Sequence, residues 1–212
     1  MDNKQLSTIK SYDNTASEFM KKIGSLNNYN ETYDFIIKLL NKGDDVLDLA
    51  CGPAQISKYI NDKIKINITG VDLSNEMLKI AKNNIPNGNF IQNSIIDFKN
   101  NLEYNLIIIG FGIPFLNKDQ TEECIKNSIT MLKNNGYFYI SFMEGNKQGF
   151  QKTSFGGENK FYVYYHRKKE ILNILENNGI EIIKNYELNY EEMDGSITKD
   201  IVIIGKKAKT ST

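Results

Sequence analysis

Three residue types that often carry site chemistry are scarce in this chain of 212 residues. Cysteine occurs twice, at Cys51 and Cys124, histidine once, at His166, and arginine once, at Arg167. Two distant cysteines, without a CxxC or a Cys/His cluster, argue against a zinc site and a disulfide framework, so no metal is expected. With 26 basic and 26 acidic residues the chain lacks the positive excess of a nucleic-acid binder. One guanidinium does not supply the repeated forks that phosphate recognition favours, so no nucleic-acid partner is expected. Long hydrophobic runs are missing too. The longest, 106–116, contains Gly and Pro and falls short of the roughly 20 residues that span a bilayer. The opening MDNKQLSTIK has no apolar region of a signal peptide. A cytoplasmic protein with no membrane partner, monomer or homodimer, is the expectation.

What is present is ordinary globular material. It is 40% apolar and 25% charged, which argues against disorder and provides a core that needs no covalent staple. Residues 1–41 read as helical, with Phe19, Met20 and Ile23 on one apolar face and Phe35, Ile36, Leu39 and Leu40 on another, punctuated at Gly24 and at Asn27 and Asn28. Short apolar runs then alternate with helical spacing: VLDLA (46–50), INITGVDL (66–73), NFIQ (89–92), LIIIG (106–110) and YFYISFM (137–143). Ile56, Tyr59 and Ile60 mark the helix after the first run. Ser74 is expected to cap the helix carrying Met77, Ile80 and Ala81. Asp119 with Glu122 should open the helix carrying Ile125, Ile129 and Leu132, and Gly136 should stop it. Beyond a polar, aromatic-rich insertion, Ile171, Leu172, Ile174 and Leu175 form a further helix closed by Gly179. Segments 180–190 and 197–205 flank Asp194 and Gly195, a hairpin dipeptide, so the last two strands should be antiparallel.

This alternation predicts an α/β fold with a mostly parallel sheet and helices on both faces. Ligands of such sheets bind beyond the carboxyl ends of the strands, which here are the loops after Asp48, Asp72, Gln92, Ile109 and Met143. The first loop reads Asp48-Leu49-Ala50-Cys51-Gly52-Pro53-Ala54. Small residues at 50, 52 and 54 let a ligand approach the backbone, and the next helix offers amide donors. Asp72 ends the second strand, where one carboxylate matches the cis-diol of a ribose. The two loops together suggest a nucleoside cofactor. A pyrophosphate cradle would need G-x-G-x-x-G, whereas this loop has one glycine. Asp48 would repel a pyrophosphate and suit a ligand with positive charge.

VLDLACGPA followed by GVDLSNEMLKIAKNN resembles the first two motifs of class I S-adenosylmethionine-dependent methyltransferases. FIQNSIIDF, YNLIIIGFGIPFL and LKNNGYFYIS continue in the order of that superfamily's later motifs, over about residues 42–143. SYDNTASEF is similar to the Y-D-x-x-A-x-x-F lid segment of many small-molecule members. The resemblance implies a Rossmann-like seven-stranded sheet, mostly parallel with a C-terminal antiparallel hairpin strand. It also implies one domain over 1–212: a helical lid (1–41), a cofactor core (42–143), a substrate-side insertion (144–166) and a C-terminal helix and hairpin (167–212). The cofactor implied is S-adenosylmethionine, with S-adenosylhomocysteine as product. Asp48, Ala50 and Gly52, with Cys51 beside them, would line its methionine and ribose, and Asp72 would hold the ribose hydroxyls. Leu73 and Met77 would sandwich the adenine, with Ser94 and Ile95 at its edge. Gly110 and Phe111 would face the methionine amine and the substrate.

Two departures stand out. Many members carry Gly-Asp at the adenine edge, and this chain has Asn93-Ser94, which removes a charge-assisted bond. Base-methylating members carry Asp/Asn-Pro-Pro-aromatic after the fourth strand, where this chain has Gly112-Ile113-Pro114-Phe115, which argues against base methylation. The implied function is in-line SN2 methyl transfer to a small molecule. A nicotinamide (NAD(P)) oxidoreductase or a non-catalytic S-adenosylmethionine-binding partner protein is the alternative. Tyr12 would close over the methyl group, and Glu144 or His166 would serve as base for a hydroxyl acceptor. Cys51 has no basic neighbour in sequence and reads as a packing residue. Phe150, Phe155, Phe161, Tyr162, Tyr164 and Tyr165 form either a substrate wall or, by the alternation of Phe161, Val163 and Tyr165, a strand face. Tyr164 and Lys168 match the spacing of the short-chain dehydrogenase pair, without that family's phosphate loop.

Overall fold

The computed structural model describes residues 3–153, 155–192 and 195–209. Among these residues, nine strands run Asp45–Leu49 (β1), Asn67–Asp72 (β2), Asn89–Gln92 (β3), Tyr104–Gly110 (β4), Leu132–Met143 (β5), Gln148–Gln151 (β6), Phe161–Tyr164 (β7), Ile180–Glu191 (β8) and Ile197–Lys207 (β9). Among them too, six α-helices run Asn3–Gly24 (α1), Asn30–Ile37 (α2), Gln55–Lys63 (α3), Asn75–Asn84 (α4), Lys118–Thr130 (α5) and Lys168–Asn177 (α6). Seven strands form one sheet in the order β3-β2-β1-β4-β5-β9-β8. The first five are parallel, and β9 runs antiparallel between β5 and β8. This is the Rossmann-like sheet expected, with the antiparallel pair where 180–190 and 197–205 place it. Asp194 of the turn dipeptide lies outside the described residues.

Alternation along each strand divides the core into two layers. Leu47, Leu49, Ile107, Ile109, Phe138, Ile140, Ile201 and Ile203 pack under α5 and α6 through Ile125, Ile129, Ile171 and Leu175. Val46, Ile68, Leu106, Ile108, Tyr139, Val202 and Ile204 pack under α2, α3 and α4 through Tyr33, Ile36, Ile60 and Ala81. The edge strand β8 carries Glu181, Lys184, Glu187 and Glu191, charges that discourage pairing with another chain. Among the described residues, no helix is long and apolar enough to cross a membrane.

Most local expectations hold. Ser74 caps α4, its hydroxyl accepting from the Met77 amide at 3.2 Å, and Gly179 closes α6 with φ +78°. Three differ. The capping box of α5 is Asn117 with Gln120, at 2.9 and 3.1 Å, and not Asp119 with Glu122. The same spacing occurs twice in this stretch, and the earlier pair takes both orphan amides, leaving Glu122 to pair with Lys126. Gly136 does not stop α5, which ends at Thr130. Pairing of Leu132 with Tyr104 draws the chain directly into β5, and Gly136 lies inside that strand. Finally, the β3–β4 crossover at 93–103 carries turns in place of a helix.

Two glycines test this packing with opposite signs. A Cβ on Gly205, in β9, would meet Ile180 Cγ2 at 2.2 Å and the Glu181 carbonyl at 3.1 Å, whereas one on Gly24 would meet nothing within 4 Å. Gly205→Ala is expected to destabilise the fold by about 1–3 kcal/mol through overpacking. Gly24→Ala, at a right-handed helical position, is expected to stabilise it by about 0.4–1 kcal/mol. Urea unfolding of both variants checks the pair; equal signs would contradict it.

Candidate active site

The carboxyl ends of β1, β2, β4 and β5 and the amino-terminal part of the antiparallel β9 open onto one cavity of about 660 Å³, a size suited to a small molecule with its cofactor. The loop leaving β1 holds its shape by backbone strain. Ala50, Gly52 and Ala54 all adopt left-handed φ, at 57°, 52° and 60°. For the two alanines this costs about 1–2 kcal/mol each, and such strain concentrates at functional sites. The neighbouring strand restrains the loop. The Cys51 amide donates to the Val71 carbonyl at 3.0 Å, and the Gly52 amide donates to Asp72 Oδ2 at 2.8 Å. Asp72 Oδ1 accepts from the Ser74 amide at 2.9 Å. Burial raises the Asp72 carboxyl above its ordinary range, against the pull of these amides. A carboxylate has about four lone-pair positions, so the two amides leave acceptor capacity for a ligand.

Asp48 shares a sheet face with Val46 and is 2% exposed. Its Oδ2 accepts from the Ser57 hydroxyl at 2.5 Å. Burial pushes its carboxyl up to about 7, with Asp72 adding to the effect and Ser57 opposing it. Gly110 and Gly112 permit close approach beside it: a Cβ would strike Ile56 Cδ1 at 2.3 Å and Ala50 Cβ at 2.8 Å. Phe111 between them has φ +53°, and its amide donates to Ser141 Oγ at 3.0 Å. Leu73, Met77, Ser94 and Ile95 line the same cavity on the α4 side. Thus Asp48, Ala50, Cys51, Gly52, Asp72, Leu73, Met77, Ser94, Ile95, Gly110 and Phe111 all border one space, as does Tyr12.

Tyr12 packs against Phe19, Phe115, Phe155 and Phe161, with ring centroids 4.7–6.3 Å apart. Burial raises its phenol far above the ordinary value, so it is no base. Burial likewise raises the Cys51 thiol, which agrees with a packing role. Phe155, Phe161, Tyr162 and Tyr164 also line the cavity. Phe161 and Val163 point inward from β7, so the wall and the strand face are one feature.

Glu144 and His166 are not cavity-lining residues, which corrects their placement as candidate bases. The His166 ring is 6% exposed, with Nε2 2.9 Å from the Ile113 carbonyl. Burial lowers its basicity, so a neutral ring donating from Nε2 satisfies that carbonyl. Glu144 Oε2 accepts from the Lys168 amide at 2.7 Å and so caps α6. A backbone bridge joins the two residues at the base of the insertion. Lys168 bonds Asn185 and Glu187, which leaves the Tyr164–Lys168 pattern without a shared site.

Sequence reasoning missed Asp200. It is 3% exposed, lines the cavity and accepts a 2.5 Å hydrogen bond from the Tyr29 hydroxyl. The signal was available: Thr198, Asp200, Val202 and Ile204 alternate on one face of β9, and an acid in such a row must be buried. Gln55 Oε1 and Thr153 Oγ1, also cavity-lining, are buried side-chain atoms without a hydrogen-bond partner and offer polar contacts to a ligand.

Residues 46–136 match the family described as methyltransferase domain. An uncharacterized protein of Methanocaldococcus jannaschii, MJ1252, is 29% identical over 180 residues, covering 84% of this chain and 59% of its own length. A demethylmenaquinone methyltransferase of Chlamydia pneumoniae is 32% identical over 110 residues, 49% of this chain and 48% of its own length. The chain thus matches about half the length of these curated relatives. The crystal structure of magnesium protoporphyrin IX methyltransferase from Synechocystis, with bound S-adenosylmethionine, superposes with a TM-score of 0.74 at 12% identity. It covers 98% of this chain and 99% of that one, a likeness of fold. Over residues 46–136 the chain thus matches a methyltransferase-domain family, and its sheet order is that of the Rossmann-like methyltransferase fold.

Proposed function

We propose that this protein transfers a methyl group from S-adenosylmethionine to a small molecule and releases S-adenosylhomocysteine. The observation that carries the reading is the convergence of Asp48 and Asp72 on one cavity at the carboxyl edge of the sheet, with Asp72 tied to the loop after β1 through the Gly52 amide. The donor set fits this cofactor. Asp72 retains acceptor capacity for two ribose hydroxyls. Among the described residues Asp48 has one hydroxyl partner and no cation, so a positively charged ligand would compensate it where a pyrophosphate would be repelled. Leu73 and Met77 would hold the adenine between them, with Ser94 and Ile95 at its edge. Ala50, Gly110 and Gly112 leave room for the chain to the sulfur.

The cofactor supplies a methyl group already activated on a sulfonium. What the protein must add is alignment, worth roughly 7–11 kcal/mol of barrier in favourable cases. Tyr12 and Phe111 would flank the reacting space as ring faces that tolerate positive charge and exclude water. Residues 1–41 would act as the lid and 144–166 as the substrate-side wall. The contacts between them support this: Ser11 Oγ donates to the Lys160 carbonyl and the Tyr162 amide to Thr8 Oγ1, each at 2.9 Å. The neutral net charge and the partly enclosed aromatic cavity favour a metabolite over nucleic acid.

Calorimetry with S-adenosylhomocysteine and with NAD tests the cofactor: binding of the first and not the second is expected. Asp72→Ala should weaken S-adenosylhomocysteine about tenfold or more by loss of charged hydrogen bonds. Unchanged affinity would overturn the ribose role.

Asp48 carries a pH prediction. Its folded carboxyl titrates near 7 and its unfolded one near 3.8, so the folded state holds a proton that the unfolded state has released between those values. Stability from this group is therefore lost as pH rises from about 4 to 7. Asp48→Asn should stabilise the cofactor-free protein by up to about 4 kcal/mol at pH 8. The gain should grow from pH 4 to 7 and level off above, while affinity for S-adenosylhomocysteine falls. Denaturant titrations at pH 4.5, 6 and 8 check it. A pH-independent difference would contradict it.

A further inference from the structure

Resting on the methyl-transfer reading, we propose that the acceptor end of the cavity binds an amino group, with Asp200 as its anchor and Tyr29 as the residue that positions that carboxylate. Asp200 lies opposite Met143 in the β5–β9 ladder, and Met143 ends β5. Asp200 therefore sits at the same carboxyl edge as the β1 and β2 loops, two strands beyond the exit of β4. It follows Thr198 and precedes Val202 and Ile204 in one inward row, so an acid takes the place of a core side chain. A buried carboxylate is costly unless something compensates it.

The protein compensates it only in part. Oδ2 accepts from Tyr29, and among the described residues no hydrogen bond reaches Oδ1 and no ion pair reaches the carboxylate. The groups facing it are Tyr29, the residue that precedes α2, Tyr190 near the end of β8 and Glu192 just after that strand, and Glu192 adds negative potential. An acidic acceptor or a phosphate would be repelled here. An ammonium or amine offers the N–H donors that Oδ1 lacks. The Tyr29 ring meets Phe111 edge-on at 5.4 Å, so the anchor lies one ring away from the loop that follows β4. The faces of Tyr29, Phe111 and Tyr190, all cavity-lining, tolerate a cation. Burial pushes the Asp200 carboxyl up to about 6, which leaves it ionised at neutral pH.

The test is equilibrium binding to the full chain saturated with S-adenosylhomocysteine. The probes are small aromatic and alkyl primary amines, each paired with its alcohol isostere. Amines should bind at least tenfold more tightly than their alcohols. Asp200→Asn should erase that preference while S-adenosylhomocysteine affinity stays within twofold. Tyr29→Phe should weaken the amines less than Asp200→Asn does. Glu192→Gln, at a less buried site, should weaken them about twofold with the fold intact and decides the matter should Asp200→Asn fail to fold. Alcohols binding as well as amines, no amine binding at millimolar concentration, or a folded Asp200→Asn protein that keeps the preference would each overturn the proposal. Failure of the wild type to bind S-adenosylhomocysteine would instead overturn the methyl-transfer reading beneath it.

Discussion

The Asp72 carboxylate joins two loops that would otherwise be independent. One oxygen takes the Gly52 amide from the loop after β1, and the other takes the Ser74 amide at the start of α4. Without that bridge, the left-handed run through Ala50, Gly52 and Ala54 has, among the described residues, only the Cys51–Val71 backbone bond to hold it against β2. The side chain read as the ribose acceptor is thus also the strut that shapes the neighbouring loop. Two amides and two hydroxyls fill the lone pairs of one carboxylate, so both roles are chemically compatible.

The same sheet face carries two further acids, Asp48 on β1 and Asp200 on β9. Both lie in largely apolar rows and, among the described residues, have single hydroxyl partners, Ser57 and Tyr29. Burial raises both carboxyls toward neutrality. Neither makes sense as a stabilising element, because a hydrophobic side chain in either place would cost the fold less. Two buried acids facing one cavity describe a protein that is less stable than its sheet allows and that gains from a cationic occupant. Ligand binding and folding then share the same electrostatic imbalance.

How much of this the sequence discloses depends on the range of the forces involved. Strand order and the site loops are legible because period-two apolar runs and glycine-bearing turns are local signals. Ser74 and Gly179 are legible for the same reason. The capping frame of α5 is not, since Asn117/Gln120 and Asp119/Glu122 satisfy the same rule and only the following hydrogen bonds choose between them. Gly136 misleads because a strand partner, Tyr104, captures the chain before the glycine is reached. Glu144 and His166 illustrate a different limit. Their position after the fifth strand is right for a substrate site, yet the side chains turn to the α6 amide and the Ile113 carbonyl. A sequence position fixes the strand end but not which backbone group a polar side chain finds there. Asp200 errs the other way, a functional candidate hidden in a C-terminal strand that motif reading treats as scaffold.

The N-terminal helix ties the site loops to the insertion. Thr15 interrupts α1 with φ −124° and ψ 16°, and its hydroxyl bonds back to the Ser11 carbonyl at 2.8 Å, the kind of competition that bends a helix. On the N-terminal side of the bend, Thr8, Ser11 and Asn14 bond the insertion. On the same side, Asp13 accepts from the Ser74 hydroxyl at 2.5 Å, beside the amide that Asp72 holds. The half-helix bearing Tyr12 is thus fastened both to the segment 159–162 and to the cap of α4. Asp13 raises the Asp72 carboxyl. Asp13 and Asp72 thus take two different donors of one capping serine, its hydroxyl and its amide, which ties the N-terminal helix to the loop that carries Asp72.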